Sequence, residues 1–288
     1  KTFEKYDWNI IEMWKKCGAK RIVLAREVSL KEAKIIKDYT GLELELFIHG
    51  AMCASYSGKC VISNYTSGRD SNRGGCVQSC RHNFELHNES LPDSSYIMNA
   101  KDLMGINLVE SYIQNGIDAV KIEGRMKSPL YVANASAQYR QSIDTAYSKL
   151  TNNTQQSTNN DPNPSKINTP LTDISNRGFS TGNLEKRADG ESISSDWNGY
   201  KKSVDYIGII KNSPTTEHPH YFLEVKTAFS KTETLWAIKK NGQSYPLTPN
   251  LIQDLNGNNL DTINANQVIQ LRSNQLLEAH TVIKRVRS

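Results

Sequence analysis

Residues 21–48, RIVLAREVSLKEAKIIKDYTGLELELFI, set the architecture of the first half of the chain. Arg21 to Ala25 is a short apolar run with the character of a buried strand. Ser29 to Tyr39 places apolar residues at helical spacing, and Ser29 and Glu32 stand at capping-box spacing. Leu42 to Ile48 is a second strand, so the stretch reads as one βα unit followed by the start of the next. The same beat continues on both sides. Asp7 to Lys16 is helical, with Asp7 as N-cap and Gly18 as stop. Downstream, Tyr96 to Met98 reads as a strand, Asp102 to Asn115 as a helix ending at Gly116, Asp118 to Ile122 as a strand, and Pro129 to Tyr147 as a helix. Repeated strand, loop and helix argue for parallel βα units. Four strands cannot close an eight-stranded barrel, and the first helix reads as following a strand that is not present. The expectation is therefore an α/β fold, the C-terminal half of a TIM-like barrel, with the N-terminal half-barrel upstream.

Beyond residue 150 the pattern changes. Residues 151–170 (TNNTQQSTNNDPNPSKINTP) hold one apolar side chain, Ile167, and read as a disordered linker. Val204 to Ile210, Tyr221 to Thr227, Thr234 to Ile238, Gln267 to Leu271 and Thr281 to Val286 then read as short strands, with Asn241-Gly242 and Asn256-Gly257 as hairpin turns. A small antiparallel β-barrel follows from this spacing. The expected division is 1–148 for the half-barrel, 149–198 for the linker and connecting segment, and 199–288 for the β-barrel domain.

The 288 residues carry a net charge of +5, with 37% hydrophobic and 23% charged residues, enough for one sizeable core or two domains. No apolar run approaches the roughly 20 residues of a membrane helix, and Lys1-Thr2-Phe3-Glu4 has no signal-peptide character. The expectation is a chain that neither spans a membrane nor is exported, in a reducing, cytoplasmic setting. The mild positive surplus permits contact with nucleic acid or an anionic metabolite and requires neither.

Four of the five cysteines, Cys53, Cys60, Cys76 and Cys80, fall in the pattern C-x6-C-x15-C-x3-C directly after the strand that ends at Ile48. Their loop thus leaves the carboxyl end of a strand, where βα barrels carry their chemistry. Cys76 and Cys80 suit a zinc site, but Cys53 and Cys60 stand too far apart for a zinc knuckle. An iron–sulfur cluster takes four thiolates and tolerates wider spacing, and Gly58, Gly74 and Gly75 allow close backbone approach. Spacing leaves cluster, zinc and two disulfides open. Cys17 reads as a packed core thiol.

Glu45 to Cys53 (ELFIHGAMC) and Gly58 to Ser63 (GKCVIS) resemble the signature of the collagenase-like peptidase family U thirty-two. The resemblance extends to Arg26 to Leu30 (REVSL), Tyr96 to Leu103 (YIMNAKDL), Lys121 to Arg125 (KIEGR), Arg177 to Gly182 (RGFSTG) and the C-terminal β-domain. It implies a tRNA hydroxylation activity forming 5-hydroxyuridine at the wobble position, dependent on prephenate and independent of molecular oxygen. It also implies an iron–sulfur cluster, of the four-iron four-sulfur kind, on Cys53, Cys60, Cys76 and Cys80, with zinc as the lesser alternative. The competing class is a metal-dependent collagenase-like peptidase, a hydrolase, and a third is a non-catalytic RNA-binding remnant. Neither HExxH nor GxSxG occurs in the sequence.

Other candidates carry both a functional and a structural reading. His49 ends its strand beside the cysteine loop, where it donates to substrate or sits as a satisfied structural histidine. Arg26 and Glu27 also sit at a strand end and either bind an anion or pair with neighbouring charges. Lys121, Glu123 and Arg125 alternate, so period two puts them on one face. That face is either an internal ion network or a cationic socket for an anionic small-molecule cosubstrate. Lys59, Arg69, Arg73 and Arg81 around the cysteines, and Lys284, Arg285 and Arg287 at the basic end, suit RNA phosphate or plain solvation. Tyr200, Tyr206, Tyr221, Phe222 and Trp236 suit base stacking or, more simply, core packing. The expected partners are tRNA and an anionic cosubstrate, with no membrane.

Overall fold

The computed structural model describes residues 8–85, 94–151, 170–214, 220–239 and 242–287. They fall into two compact units, residues 1–123 with 176–200, and residues 124–175 with 201–288. Chain order and spatial grouping therefore differ. The helix after residue 128 belongs with the second unit, and residues 176–200 return to the first. Asp7, Asn241 and residues 152–169 of the expected linker lie outside the described residues.

The first unit runs α1 (Trp8–Lys16), β1 (Arg21–Val23), α2 (Leu30–Thr40), β2 (Glu43–Gly50), α3 (Ile62–Ser67), β3 (Phe84–Glu85), β4 (Ser94–Ser95), β5 (Asp102–Met104), α4 (Val109–Gln114) and β6 (Ala119–Glu123), and closes with β7 (Phe179–Ser180). Ser29 caps α2 in a full capping box with Glu32, and Gly41 ends the helix in the left-handed conformation. In β2, Leu44, Leu46 and Ile48 are buried on one face, as period two requires. β2 is the centre of the sheet, parallel to β1 and to β6. At its end Gly50 has φ 106°, and a Cβ there would stand 2.2 Å from the Glu123 carbonyl oxygen. Only glycine lets β6 approach so closely.

Two expectations fail in the same stretch. Tyr96 to Met98 is a turn region, and Asp102 to Met104, expected as the first turn of a helix, is a strand. The helix begins only at Val109, after a short 3-10 turn over Ile106–Leu108. The cause is tertiary. The Asp102 amide donates to the Gly178 carbonyl at 2.9 Å, and its buried carboxylate accepts from Arg177, which holds residue 102 extended whatever its local preference. β5 also runs antiparallel to β2, with His49 opposite Met104, and parallel to β7. The sheet is thus mixed, and in place of the all-parallel half-barrel expected from the βα beat, parallel pairing joins β1 and β6 to β2 and β7 to β5. Cys17, expected in the core, is exposed.

The second unit holds α5 (Pro129–Thr151) and the strands β8 (Val204–Ile210), β9 (Tyr221–Val225), β10 (Phe229–Ser230), β11 (Leu235–Ile238), β12 (Ser244–Leu247), β13 (Leu251–Gln253), β14 (Thr262–Ile263), β15 (Val268–Arg272) and β16 (Val282–Val286). Seven form an antiparallel sheet in the order β12-β11-β16-β8-β9-β15-β13, and β10 pairs with β14. One cluster, including Ile207, Leu223, Val225, Phe229, Ile263, Ile269 and Ile283, joins both sheets. The large sheet therefore curls around a shared core as a half-barrel, with β12 and β13 as its edges among the described residues, and does not close as expected. Asn256-Gly257 does form a tight turn, bridged by Gln253 and Asn259. Gly208 admits the β9 backbone, since a Cβ there would stand 2.2 Å from the Glu224 carbonyl oxygen. No described helix is long and apolar enough to cross a membrane.

Candidate functional site

β2 delivers the chain to Cys53, and the segment from there to Arg81 is built with little apolar burial. Ser63 and Ser79 are its buried residues. Hydrogen bonds give it shape instead. The Asn72 side chain clamps Cys60, accepting from its amide at 3.2 Å and donating to its carbonyl at 3.0 Å. Ser63 accepts from the Val77 amide, and the Thr66 and Ser79 hydroxyls meet at 2.5 Å. The Gln78 amide donates to Cys76 Sγ at 3.4 Å, with Gln78 itself at positive φ. Arg81 donates to Gln78 and to Tyr200 Oη at 3.0 Å, and Trp197 packs edge-on against Tyr200. Tyr200, expected among the aromatics of the C-terminal domain, thus belongs to the first unit.

All four cysteines of the pattern are free thiols, so the structure does not hold the two-disulfide arrangement. Burial pushes the Cys80 thiol above its ordinary pKa. Charge on Cys53 and Cys76 raises it further, and Arg81 and Arg177 oppose them. Cys53 and Cys76 therefore lie within electrostatic reach of Cys80. Among the described residues no three cysteine, histidine or carboxylate side chains stand at metal-ligating spacing. The donor chemistry suits a cluster, with free thiols on one loop and arginines beside Cys80 to offset thiolate charge.

The remaining candidates divide. Lys121 pairs with Glu45 at 2.8 Å, and Glu123 with Arg26 at 3.0 Å. The Arg26 guanidinium also lies 4.1 Å from the centroid of the Phe47 ring. These charges answer one another between β6 and both β2 and the segment after β1, which is the ion-network reading. Arg125 lies beyond β6 in an exposed turn of the second unit, so the expected three-residue face stops at Glu123. Glu27 accepts the Ser57 amide at 2.8 Å. His49 is buried, with its ring 5.6 Å from that of Phe179. Lys59, Arg69 and Arg73 are exposed on the cysteine segment. The basic C-terminal run is not an open patch: Arg285 and Arg287 both bind Asp205, and Lys284 is buried.

Beside the cysteine loop lies a cavity of about 520 Å³, lined by Glu27, Met52, Cys53, Tyr56, Lys101 and Arg187 among others. Arg177 is buried and binds Asp102 through Nε at 3.0 Å and Asn99 through Nη1 at 3.3 Å. Sequence reasoning gave Lys101, Arg177 and Arg187 no role. Lys101 and Arg177 stand within the quoted segments YIMNAKDL and RGFSTG, where charges flanked by small and apolar residues were the available signal.

The sequence profile of peptidase family U32 matches residues 3–194, two thirds of the chain. The chain belongs to peptidase family U32. It is 34% identical over 268 residues to the tRNA hydroxylation protein P1 of Bacillus subtilis (strain 168), covering 88% of this chain and 60% of that protein. It is 41% identical over 130 residues to the 23S rRNA 5-hydroxycytidine C2501 synthase of Escherichia coli (strain K12), covering 44% of this chain and 20% of that protein. A collagenase of Porphyromonas gingivalis is 30% identical over 170 residues, covering 58% of this chain and 45% of that protein. The chain thus spans at most about 60% of the length of these relatives.

Proposed function

We propose that this member of peptidase family U32 serves in RNA hydroxylation, with the wobble uridine of tRNA as the target, 5-hydroxyuridine as the product and prephenate as cosubstrate. The observation that carries the reading is the loop of four free cysteines at the carboxyl end of β2, opening on a cavity that Cys53 itself lines. The names of two relatives, both RNA hydroxylation proteins, support the reaction class. In this reading the parallel trio β1, β2 and β6 belongs to a TIM-like barrel, whose strand ends carry the chemistry. A cytoplasmic setting belongs to the same proposal.

Cys53, Cys60, Cys76 and Cys80 would hold an iron–sulfur cluster. When bound, it supplies one-electron redox chemistry that the protein's own side chains lack. The protein's share is positioning. The Asn72 clamp fixes Cys60, and the Gln78 amide orients the Cys76 sulfur. Arg81 and Arg177 offset negative charge at Cys80. The Lys121–Glu45 pair ties β6 to β2, and the Arg26–Glu123 pair ties the segment after β1 to β6. Exposed Lys59, Arg69 and Arg73 offer charge to RNA phosphate.

The test is mass spectrometry of tRNA nucleosides from a strain lacking the gene. Loss of 5-hydroxyuridine, restored by the wild-type gene and not by Cys80→Ser, is expected. Normal hydroxyuridine in the deletion strain, together with gelatin cleavage by the purified protein, would replace this reading with the peptidase one.

A further inference from the structure

The segment from Cys53 to Arg81 buries no apolar side chain fully, yet it holds large ones out in water. Tyr56, Val61 and Tyr65 are all exposed, and Tyr65, at 88%, is the most open large apolar or aromatic side chain among the described residues. One such residue is ordinary; three between Tyr56 and Tyr65 on a fixed support are not. The support is α3, from which Tyr65 projects. Ser63, on its inner side, is buried and accepts from the Val77 amide at 3.4 Å, and the Thr66 and Ser79 hydroxyls meet at 2.5 Å. Gly68, at φ 65°, closes the helix by donating to the Asn64 carbonyl. Val61 stands four residues before Tyr65 and so shares its side of the helix. The Tyr65 ring is therefore presented by a frame that does not need it for packing.

Charge names the occupant. Between Cys53 and Arg81 the chain carries Lys59, Arg69, Arg73 and Arg81 against a single acid, Asp70. Asp70 pairs with Arg73 at 3.5 Å, and Lys59 and Arg69 are left to solvent. An apolar protein partner would have to desolvate these cations without paying them back. A nucleic-acid strand answers both features, with phosphates for the cations and the face of a base for the ring. The strand must be unpaired there, because a duplex keeps the faces of its bases stacked on one another. We propose that Tyr65 is a stacking platform for an unpaired base of the RNA, with Lys59 and Arg69 holding the flanking phosphates. This residue binds and orients the strand and takes no part in the chemistry. The inference rests on the hydroxylase reading for the strand's being RNA, and the wobble base of a tRNA lies in an unpaired loop.

Fluorescence anisotropy on the anaerobically prepared full chain decides the matter, with three labelled probes: a short oligouridylate, an abasic ribose-phosphate oligomer of the same length, and an RNA duplex. Tyr65→Ala should weaken oligouridylate by about tenfold at an unchanged melting temperature, and Tyr65→Phe, which keeps the ring, should bind as the wild type does. The abasic oligomer should bind more weakly than oligouridylate and be indifferent to Tyr65→Ala. Arg69→Gln should weaken both single strands and flatten the slope of log affinity against log salt by about 0.7. Absence of oligouridylate binding, a preference for the duplex, an unchanged affinity in Tyr65→Ala, or an equal loss with the abasic oligomer would each overturn the proposal. So would self-association of the wild type that Tyr65→Ala abolishes while RNA binding persists, which would assign the face to a second copy of the chain. The two readings fail separately. Normal hydroxyuridine in the deletion strain removes the hydroxylase reading and leaves the anisotropy to decide the platform. Loss of hydroxyuridine together with unaffected binding by Tyr65→Ala removes the platform alone.

Discussion

The half-barrel sheet of the second unit and the cysteine segment of the first are held together by different physics. In the sheet, Ile207, Leu223, Val225 and Ile283 are fully buried in one apolar cluster, and seven strands pair in register. In the segment from Cys53 to Arg81 no apolar side chain is fully buried, and side-chain hydrogen bonds around Asn72, Ser63 and Ser79 replace a core. Charge follows the same division. Arg285 and Arg287 at the end of the sheet are tied to Asp205, whereas Lys59 and Arg69 stand open to solvent. A region that gains little from apolar burial is free to be shaped by what it binds. That is the reason to look for function in the cysteine segment and for stability in the sheet.

Five substitutions test this contrast. The largest effect is expected at Asp102, the buried partner of Arg177. Asp102→Ala leaves a buried guanidinium uncompensated and should cost about 3–5 kcal/mol, measured by urea unfolding. A cost below that of a surface change would show that the pair does not anchor the first unit. In the sheet, Leu223→Ala should cost about 2–5 kcal/mol through the cavity it leaves.

Asp205 should show its effect in pH. Burial raises its carboxyl pKa, but bonds from Arg287, Arg285 and Lys202 outweigh burial and hold it below the ordinary carboxylate range. Its stabilisation is therefore complete above the unfolded value of about 3.9 and is lost as pH falls through the lower folded value. Asp205→Asn should remove about 2 kcal/mol near neutrality and almost nothing at strongly acid pH, and equal losses at both would contradict the linkage. The smallest effect on folding is expected at the thiols. Cys53→Ser and Cys76→Ser, both at exposed positions, should change iron-free stability by no more than about 0.5 kcal/mol while lowering the iron retained after anaerobic preparation. A stability loss as large as that of Leu223→Ala would make the thiols structural and erase the distinction between the two regions.

Local signals made much of this legible in the sequence. The capping box at Ser29 and Glu32, the alternation in Leu44, Leu46 and Ile48, and the whole span Val204 to Ile210 depend on neighbours a few residues away, and the structure has them where the sequence placed them. Very short strands such as Phe229–Ser230 and Thr262–Ile263 escaped, because two residues carry no periodicity and exist only by pairing with each other. The candidate site was legible in its chemistry and not in its partners. Spacing found the four cysteines, but nothing local revealed that Lys121 would meet Glu45, Arg26 would meet Glu123, or Asn72 would clamp Cys60.

By itself the sequence determined the alternation of strands and helices, the change of pattern beyond residue 150, the cysteine loop at a strand's end and the resemblance to a family. Each rests on contiguous residues, so each survives without coordinates. Only the tertiary structure decided that Asp102 begins a strand, that β5 runs against β2, that the C-terminal sheet curls without closing, and which cations are spent. Those outcomes depend on contacts between residues distant in the sequence, 55 apart for His49 and Met104 and 75 or more for Asp102 with Arg177 and Lys121 with Glu45, and burial of a charge is tolerated only if its partner arrives from elsewhere in the chain.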